Sequence, residues 1–193
     1  ALATAQSPLY SSYVRYRTHR ERKHRMTWAQ DLVQCLKNSE VSLIAYVPDV
    51  SIYQVTQLME EDPYFHVVSA TREEEAIGIA SGAYAAGRNG AVFMQSSGFG
   101  NCINAIASLC IPGRIPVPMF INLRGGVDEF NIAQVAMGRA TRPILDTLGL
   151  SYFTLDNPDT MPRVVSGALK LCFASRQPLA LCMTPLLHGG KLA

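Results

Sequence analysis

Residues 65–101 read FHVVSATREEEAIGIASGAYAAGRNGAVFMQSSGFGN, and the reading of this stretch decides the fold. Phe65 to Ser69 is a short apolar, β-rich run that predicts a strand. Glu73 to Arg88 follows with small residues and a helical pattern. Ala91 to Gln95 is a second strand, and Asn101 to Cys110 a second helix, reached through a turn that contains Gly98 and Gly100. Inside the first helix, Gly78, Gly82 and Ala86 recur every four residues and therefore share one face. A glycine inside a helix costs about 1 kcal/mol relative to alanine. Two on one face predict that another backbone lies close against it, in a tight helix–helix interface that a second subunit is able to supply.

The same alternation runs outward in both directions. Thr27 to Lys37 is amphipathic, with Trp28, Leu32, Cys35 and Leu36 on one side and Thr27 as N-cap. Val41 to Val47 is a strand, and Ser51 is placed to cap a helix through Met59. Downstream come a strand at Val117–Leu123, a glycine-containing loop at 124–133, and a helix that starts at Gln134 or Thr141 and runs through Leu148. A strand at Tyr152–Leu155, a helix at Asp159–Ala174 and a last strand at Leu179–Met183 complete the pattern. Strands that are short, apolar on both faces and separated by single helices predict an α/β protein. Its architecture is a doubly wound, mostly parallel six-stranded sheet with helices on both faces. Ligands of such sheets bind at the carboxyl ends of the strands. That directs attention to the loops at 48–51, 70–73, 96–101 and 123–128.

With 193 residues, 48% hydrophobic and 17% charged, the chain is sized for a single core. Its net charge of +2 hides an asymmetry. Residues 1–25 hold six basic side chains against Glu21 alone, and the rest of the chain is mildly acidic. The tail reads as a disordered, solvated extension, with contact to nucleic acid as the rival reading. Met26, just ahead of the first helix pattern, is a candidate start. Residues 26–193 then form one domain with no nucleic-acid footprint. No apolar run is long enough to span a membrane, and no secretory signal is visible. The five cysteines, Cys35, Cys102, Cys110, Cys172 and Cys182, form no C-x-x-C pair. They read as buried reduced thiols of a cytoplasmic protein rather than metal ligands.

Several chemistries are excluded at the motif level. The 90–101 segment, GAVFMQSSGFGN, is neither G-x-G-x-x-G in a first βα unit nor a G-x-x-x-x-G-K-S/T loop. Nicotinamide-binding and P-loop readings therefore fail. The histidines (His19, His24, His66 and His188) suggest no Ser–His–acid triad. Two charged residues at strand ends stay open. Asp49, in AYVPDVS, either caps the next helix or faces a ligand. Arg124, in FINLRGGVDEF, either holds an anionic group bidentately or is a solubilising residue paired with Asp128.

Taken together, REEEAIGIASGAY and FMQSSGFGNCINAIASL resemble the pyrimidine-binding domain of thiamine diphosphate enzymes. In particular they are similar to the alpha subunit of sulfopyruvate decarboxylase and the N-terminal part of phosphonopyruvate decarboxylase. VPDVS, Leu-Arg-Gly at 123–125 and MGRATRPILDTLGLSYF at 137–153 fit in order, so the resemblance spans about residues 27–185. It implies an acid nine positions before Gly82, which is Glu73. In this family that acid hydrogen-bonds a pyrimidine nitrogen of thiamine diphosphate and so activates the cofactor. The adjoining Glu74 and Glu75 leave room for a slip of one. However, successive helical residues point about 100° apart, so only one of the three faces the sheet edge.

The resemblance further implies that Gln95, Ser96, Ser97, Gly98 and Asn101 lie near the cofactor and that Asp49 and Arg124 face the substrate. The family's magnesium is held by a Gly-Asp-Gly motif, which does not occur in this chain. The resemblance therefore implies a separately encoded half. A diphosphate-binding beta subunit would supply the Mg2+ site, in a hetero-oligomer such as a dimer of heterodimers. Among substrates, a small 2-keto acid is implied. The sequence DEFNIAQ at 128–134 leans toward sulfopyruvate, although Ala83 stands where the phosphonopyruvate enzymes carry Tyr. Phosphonopyruvate or another 2-keto acid, carboligation in place of decarboxylation, and a non-catalytic supporting subunit are the alternatives.

Overall fold

The structure is a computed structural model that describes residues 27–190. The basic tail, with its charge asymmetry, and the candidate start at Met26 lie outside the described residues. The first helix, α1 (Trp28–Asn38), begins as expected at Thr27. The Thr27 hydroxyl accepts from the Gln30 amide while the Gln30 side chain accepts from the Thr27 amide. This reciprocal capping box satisfies two donors that the helix start would otherwise leave open.

The remaining elements alternate. They are β1 (Val41–Tyr46), α2 (Tyr53–Glu61), β2 (His66–Ser69), α3 (Glu73–Ala85), β3 (Asn89–Gln95) and α4 (Ser96–Ala105). Beyond them come β4 (Pro118–Asn122), α5 (Val135–Thr147), β5 (Tyr152–Leu155), α6 (Met161–Ser175), β6 (Leu179–Met183) and the short α7 (Pro185–His188). The six strands form one parallel sheet in the order β2-β1-β3-β4-β6-β5. The chain winds one way from β1 to β2 and the other way from β3 onward. The switch point therefore lies between β1 and β3, where sheets of this kind open a crevice at the strand carboxyl ends.

Strand alternation divides the core. Phe93, Phe120 and Leu181 point to one face, under α1, α2 and α6. Met94, Ile121 and Cys182 point to the other, under α3, α4 and α5. On the first face Phe93 and Phe120 stack across β3 and β4 with ring centroids 4.4 Å apart. All five cysteines are buried with free thiols, and burial pushes the Cys182 thiol up to about 11. Among the described residues no helix is long and apolar enough to cross a membrane.

Two expectations need correction, and a third is not met within the described residues. Ser51 does not cap α2. Instead the Asp49 carboxylate accepts from the Ser51 amide and caps a 3-10 turn, Val50–Ile52, that leads into the helix. An aspartate in extended conformation that bonds its own backbone two residues on makes this turn without help. The turn expected at 96–101 is already helix, because α4 starts at Ser96 and neither Gly98 nor Gly100 has a left-handed φ. The helix then runs on through a π turn, Ile106–Cys110. Finally, Gly78 and Gly82 face outward, and a Cβ on either meets nothing within 4 Å. Among the described residues no backbone packs on the small-residue face of α3. The ambiguous start of α5 resolves to Val135, after a 3-10 turn at Ile132–Gln134.

Candidate active site

The carboxyl edge of the sheet gathers every singled-out residue. Glu73 follows β2, Asp49 follows β1, Gln95 ends β3 and leads into Ser96 and Ser97, and Arg124 follows β4. The three consecutive glutamates of α3 separate by partner. Glu75 folds back onto the Thr71 amide at 2.7 Å, and those local bonds hold its carboxyl below the usual range. Glu74 pairs with Arg72. Glu73 alone reaches across to the start of α4, where its Oε2 accepts from Asn101 Nδ2 at 3.1 Å. Its Oε1 engages no donor among the described residues.

Glycine at position 98 is what permits this crossing. A Cβ there would lie 2.1 Å from Glu73 Oε1 and 2.4 Å from its Cγ. Real Cβ atoms do not approach that closely, so any other residue would push the carboxylate away. Around this crossing, Gln95 is half-buried, Ser96 is fully buried and Ser97 half-buried. Ser96 is tied to the next loop, since its Oγ accepts from the Arg124 amide at 3.2 Å.

Arg124 does not pair with Asp128. Asp128 takes a left-handed φ of 61° and is exposed, whereas Glu129 turns back inward. Arg124 donates from Nε and Nη2 to the two Glu129 oxygens at 2.7 and 2.6 Å. The Gly125 and Asn131 amides donate to the same carboxylate. These bonds, with Arg124's first, hold the Glu129 carboxyl down to about 2. The side chains of the pair are 9% and 5% exposed. The bidentate fork that the sequence offers to a substrate anion is thus filled from within the loop, and Nη1 with one Nη2 hydrogen is left over. The first turns of α5 press on this loop so closely that a Cβ at Gly138 would lie 1.8 Å from the Arg124 carbonyl oxygen.

Asp49 takes the capping reading, although it caps the 3-10 turn and not α2 itself. It caps the turn after β1, and its Oδ2 accepts from Asn122 Nδ2 at the end of β4. Asn122 in turn presents Oδ1 to His188 Nε2 at 3.0 Å. Asn122, Glu129 and His188 are the residues that sequence reasoning passed over. A signal existed for Asn122, the single polar residue closing the buried run PMFIN. For His188 there was none beyond its place after a strand.

Space at this edge lies in separate parts. A cavity of about 20 Å3 among Asn122, Arg124, Glu129 and His188 has room for about one water. A groove of about 420 Å3 opens beside Asp49, Tyr53, Thr56 and Glu60. A second, of about 430 Å3, runs along Arg124, Gly138, Arg139 and Arg142. No cluster among the described residues has three His, Cys, Asp or Glu side chains placed to hold a metal.

This arrangement has counterparts among known proteins. Residues 26–121 match the family model described as thiamine pyrophosphate enzyme, N-terminal TPP binding domain. The chain is 34% identical over 161 residues to sulfopyruvate decarboxylase subunit alpha of Methanococcus maripaludis, covering 83% of this chain and 96% of that one. It belongs to the thiamine pyrophosphate enzyme family. The corresponding subunit of Methanocaldococcus jannaschii is 37% identical over 155 residues, 80% of this chain and 92% of that one. Phosphonopyruvate decarboxylase of Streptomyces viridochromogenes is 33% identical over 169 residues, which is 87% of this chain but 42% of that protein. The relatives therefore include subunits of about this chain's length and longer chains of which it matches one part.

The residues at the edge fit the family's cofactor. One carboxylate, Glu73, stands at the head of α3 with one oxygen fixed by Asn101 and the other unengaged. The missing Cβ at Gly98 is what leaves room for that carboxylate.

Proposed function

We propose that this chain is the pyrimidine-binding alpha subunit of a thiamine diphosphate-dependent 2-keto acid decarboxylase that acts on 3-sulfopyruvate, giving sulfoacetaldehyde and carbon dioxide. The observation that carries the reading is the Glu73 carboxylate laid across Gly98 and held by Asn101, in a chain whose full-length relatives bear the name sulfopyruvate decarboxylase subunit alpha. When bound, thiamine diphosphate supplies the electron sink for loss of carbon dioxide from the keto acid.

The work of the chain's own residues follows from their placement. Glu73 would hold the cofactor by a hydrogen bond from its Oε1 side, while Asn101 fixes Oε2 and with it the direction of the carboxylate. Gln95, Ser96, Ser97 and Gly98 form the wall beside it. Asp49 faces the substrate from the β1 side. Arg124, with its fork committed to Glu129, offers its remaining N–H groups to the substrate's anionic end. A diphosphate-binding beta subunit completes the site in a hetero-oligomer and holds Mg2+. The buried thiols suit a reducing, cytoplasmic setting.

The test is turnover of 3-sulfopyruvate by the chain copurified with its partner, in thiamine diphosphate and magnesium, for wild type and Glu73→Gln. Positioned proton transfer contributes about 10²–10⁴-fold, so the variant is expected to lose activity on that scale while still assembling. Wild-type turnover of phosphonopyruvate but not sulfopyruvate would move the substrate. A Glu73→Gln complex with full activity would sink the catalytic role and leave a supporting subunit.

A further inference from the structure

Resting on that reading of Asp49 as the substrate-side carboxylate, we propose that His188 is its positioning residue, acting through Asn122. Three elements distant in sequence meet here: the loop after β1, the last residue of β4, and the short helix after β6. Asn122 has no exposed surface, and the four strand residues before it are buried and apolar. A buried amide is costly unless both of its halves are bonded. Both are: Nδ2 by Asp49 and Oδ1 by His188.

The direction of the chain is fixed by chemistry. The Gly190 amide donates to His188 Nδ1 at 3.2 Å, so that nitrogen carries the lone pair. Gly189 and Gly190, with φ of 83° and 73°, turn the backbone back onto the ring to make this bond. A neutral imidazole then keeps its proton on Nε2 and donates it to Asn122 Oδ1. The amide must then offer its NH2 to Asp49, which as a carboxylate accepts. Protonation of the ring would set an N–H against the Gly190 N–H, and burial in turn pushes the His188 pKa below its usual 6.5. The Trp28 ring flanks the imidazole, with centroids 6.3 Å apart.

Place in the fold separates the roles. Asp49 borders the 420 Å3 groove, which neither Asn122 nor His188 lines; these two line the one-water cavity together with Arg124 and Glu129. His188 therefore reaches the substrate side through the amide. Without the Nε2 donor, nothing holds Asn122 Oδ1 in place. That oxygen is left buried without a donor, so the amide shifts to find one and the Nδ2 bond that aims Asp49 Oδ2 is no longer fixed.

The experiment uses the assembled complex with His188→Leu, His188→Gln, Asp49→Asn and the Asp49→Asn/His188→Leu double variant. Loss of such a supporting donor typically costs 10–100-fold, so His188→Leu is expected to lower kcat about tenfold with little change in KM. His188→Gln, whose amide N–H replaces the Nε2 donor, is expected to restore most of it. On the Asp49→Asn background, His188→Leu should change nothing further. Independently of turnover, 15N spectra of the histidine-labelled full chain should show His188 neutral with its proton on Nε2, assigned by its loss in His188→Gln. A wild-type kcat in His188→Leu, no rescue by glutamine, multiplicative effects in the double variant, or a proton on Nδ1 would each overturn the proposal. If the wild-type complex decarboxylates no 2-keto acid, the functional reading fails while the tautomer measurement still decides the hydrogen-bond chain.

Discussion

The two ends of one sheet edge are built in opposite ways. At the β2 end, Glu73 is held by a single partner, Asn101, twenty-eight positions away, on adjoining helices of one βαβα unit. Beside it, among the described residues, the outward face of α3 is bare at Gly78 and Gly82, where a Cβ would meet nothing within 4 Å. At the β4–β6 end, contacts join residues 73 and 66 positions apart, and a bidentate ion pair closes the loop from within. Among the described residues, the first end is open. The second is self-contained. An active site divided between two chains calls for this contrast, with one rigid, prepaired wall and one face left to be covered.

The comparison can be broken most sharply at Gly98. Gly98→Ala should leave the fold intact, because the clash is with the movable end of a glutamate and alanine favours the helix. A 1 Å displacement of a positioned group can cost 10²-fold, so turnover of the complex should fall on that order with little change in melting temperature. If activity survives, the Glu73 carboxylate is not the group that matters at this end.

The self-contained end should fail by stability instead. Leaving a buried donor unpaired costs about 1–3 kcal/mol, and Glu129→Gln, which strips the Arg124 fork of its charged partner, should lower stability by about that much in urea titration of the single chain. Acid should act the same way. Glu129 titrates lower in the folded chain, about 2, than the usual 4.5, so its stabilising contribution is present above 4.5 and is lost as pH falls toward 2. His188, pushed below 6.5, sets in earlier, because the unfolded chain takes up that proton first as pH drops below 6.5. Glu129→Gln should flatten the lower part of this acid profile and leave the upper part in place.

The smallest effect distinguishes the bare face. Gly82→Ala should stabilise the isolated chain by about 1 kcal/mol, read as a rise in melting temperature. In the complex it should weaken assembly, since a methyl would stand where a partner's backbone is expected. Unchanged assembly would leave the glycines of α3 without a tertiary reason.

Much of this was legible beforehand because it is local. Strand and helix periods and the N-cap at Thr27 lie within a few turns of chain, where propensity and spacing act directly, and the count to Glu73 rests on the family resemblance. The start of α4 was misplaced because glycine pairs signal turns. Here Gly98 sits inside a helix, since the constraint on it comes from Glu73 across the interface and not from its own φ. Arg124 was drawn toward Asp128 by proximity, but a left-handed Asp128 points away and the next acid turns inward. Asn122 and His188 carried no local signal, because their meaning lies in each other.

What the sequence determined alone is the layered α/β architecture and the buried thiols, since these depend on short-range patterns of polarity and size; Glu73 was singled out by the family resemblance. What only the tertiary structure decided is which of three glutamates crosses to α4, where Arg124 spends its fork, and that Asp49, Asn122 and His188 form one directed chain. Those are outcomes of strand order. A parallel sheet brings the carboxyl ends of distant strands together, and sequence separation carries no record of which neighbours it will choose.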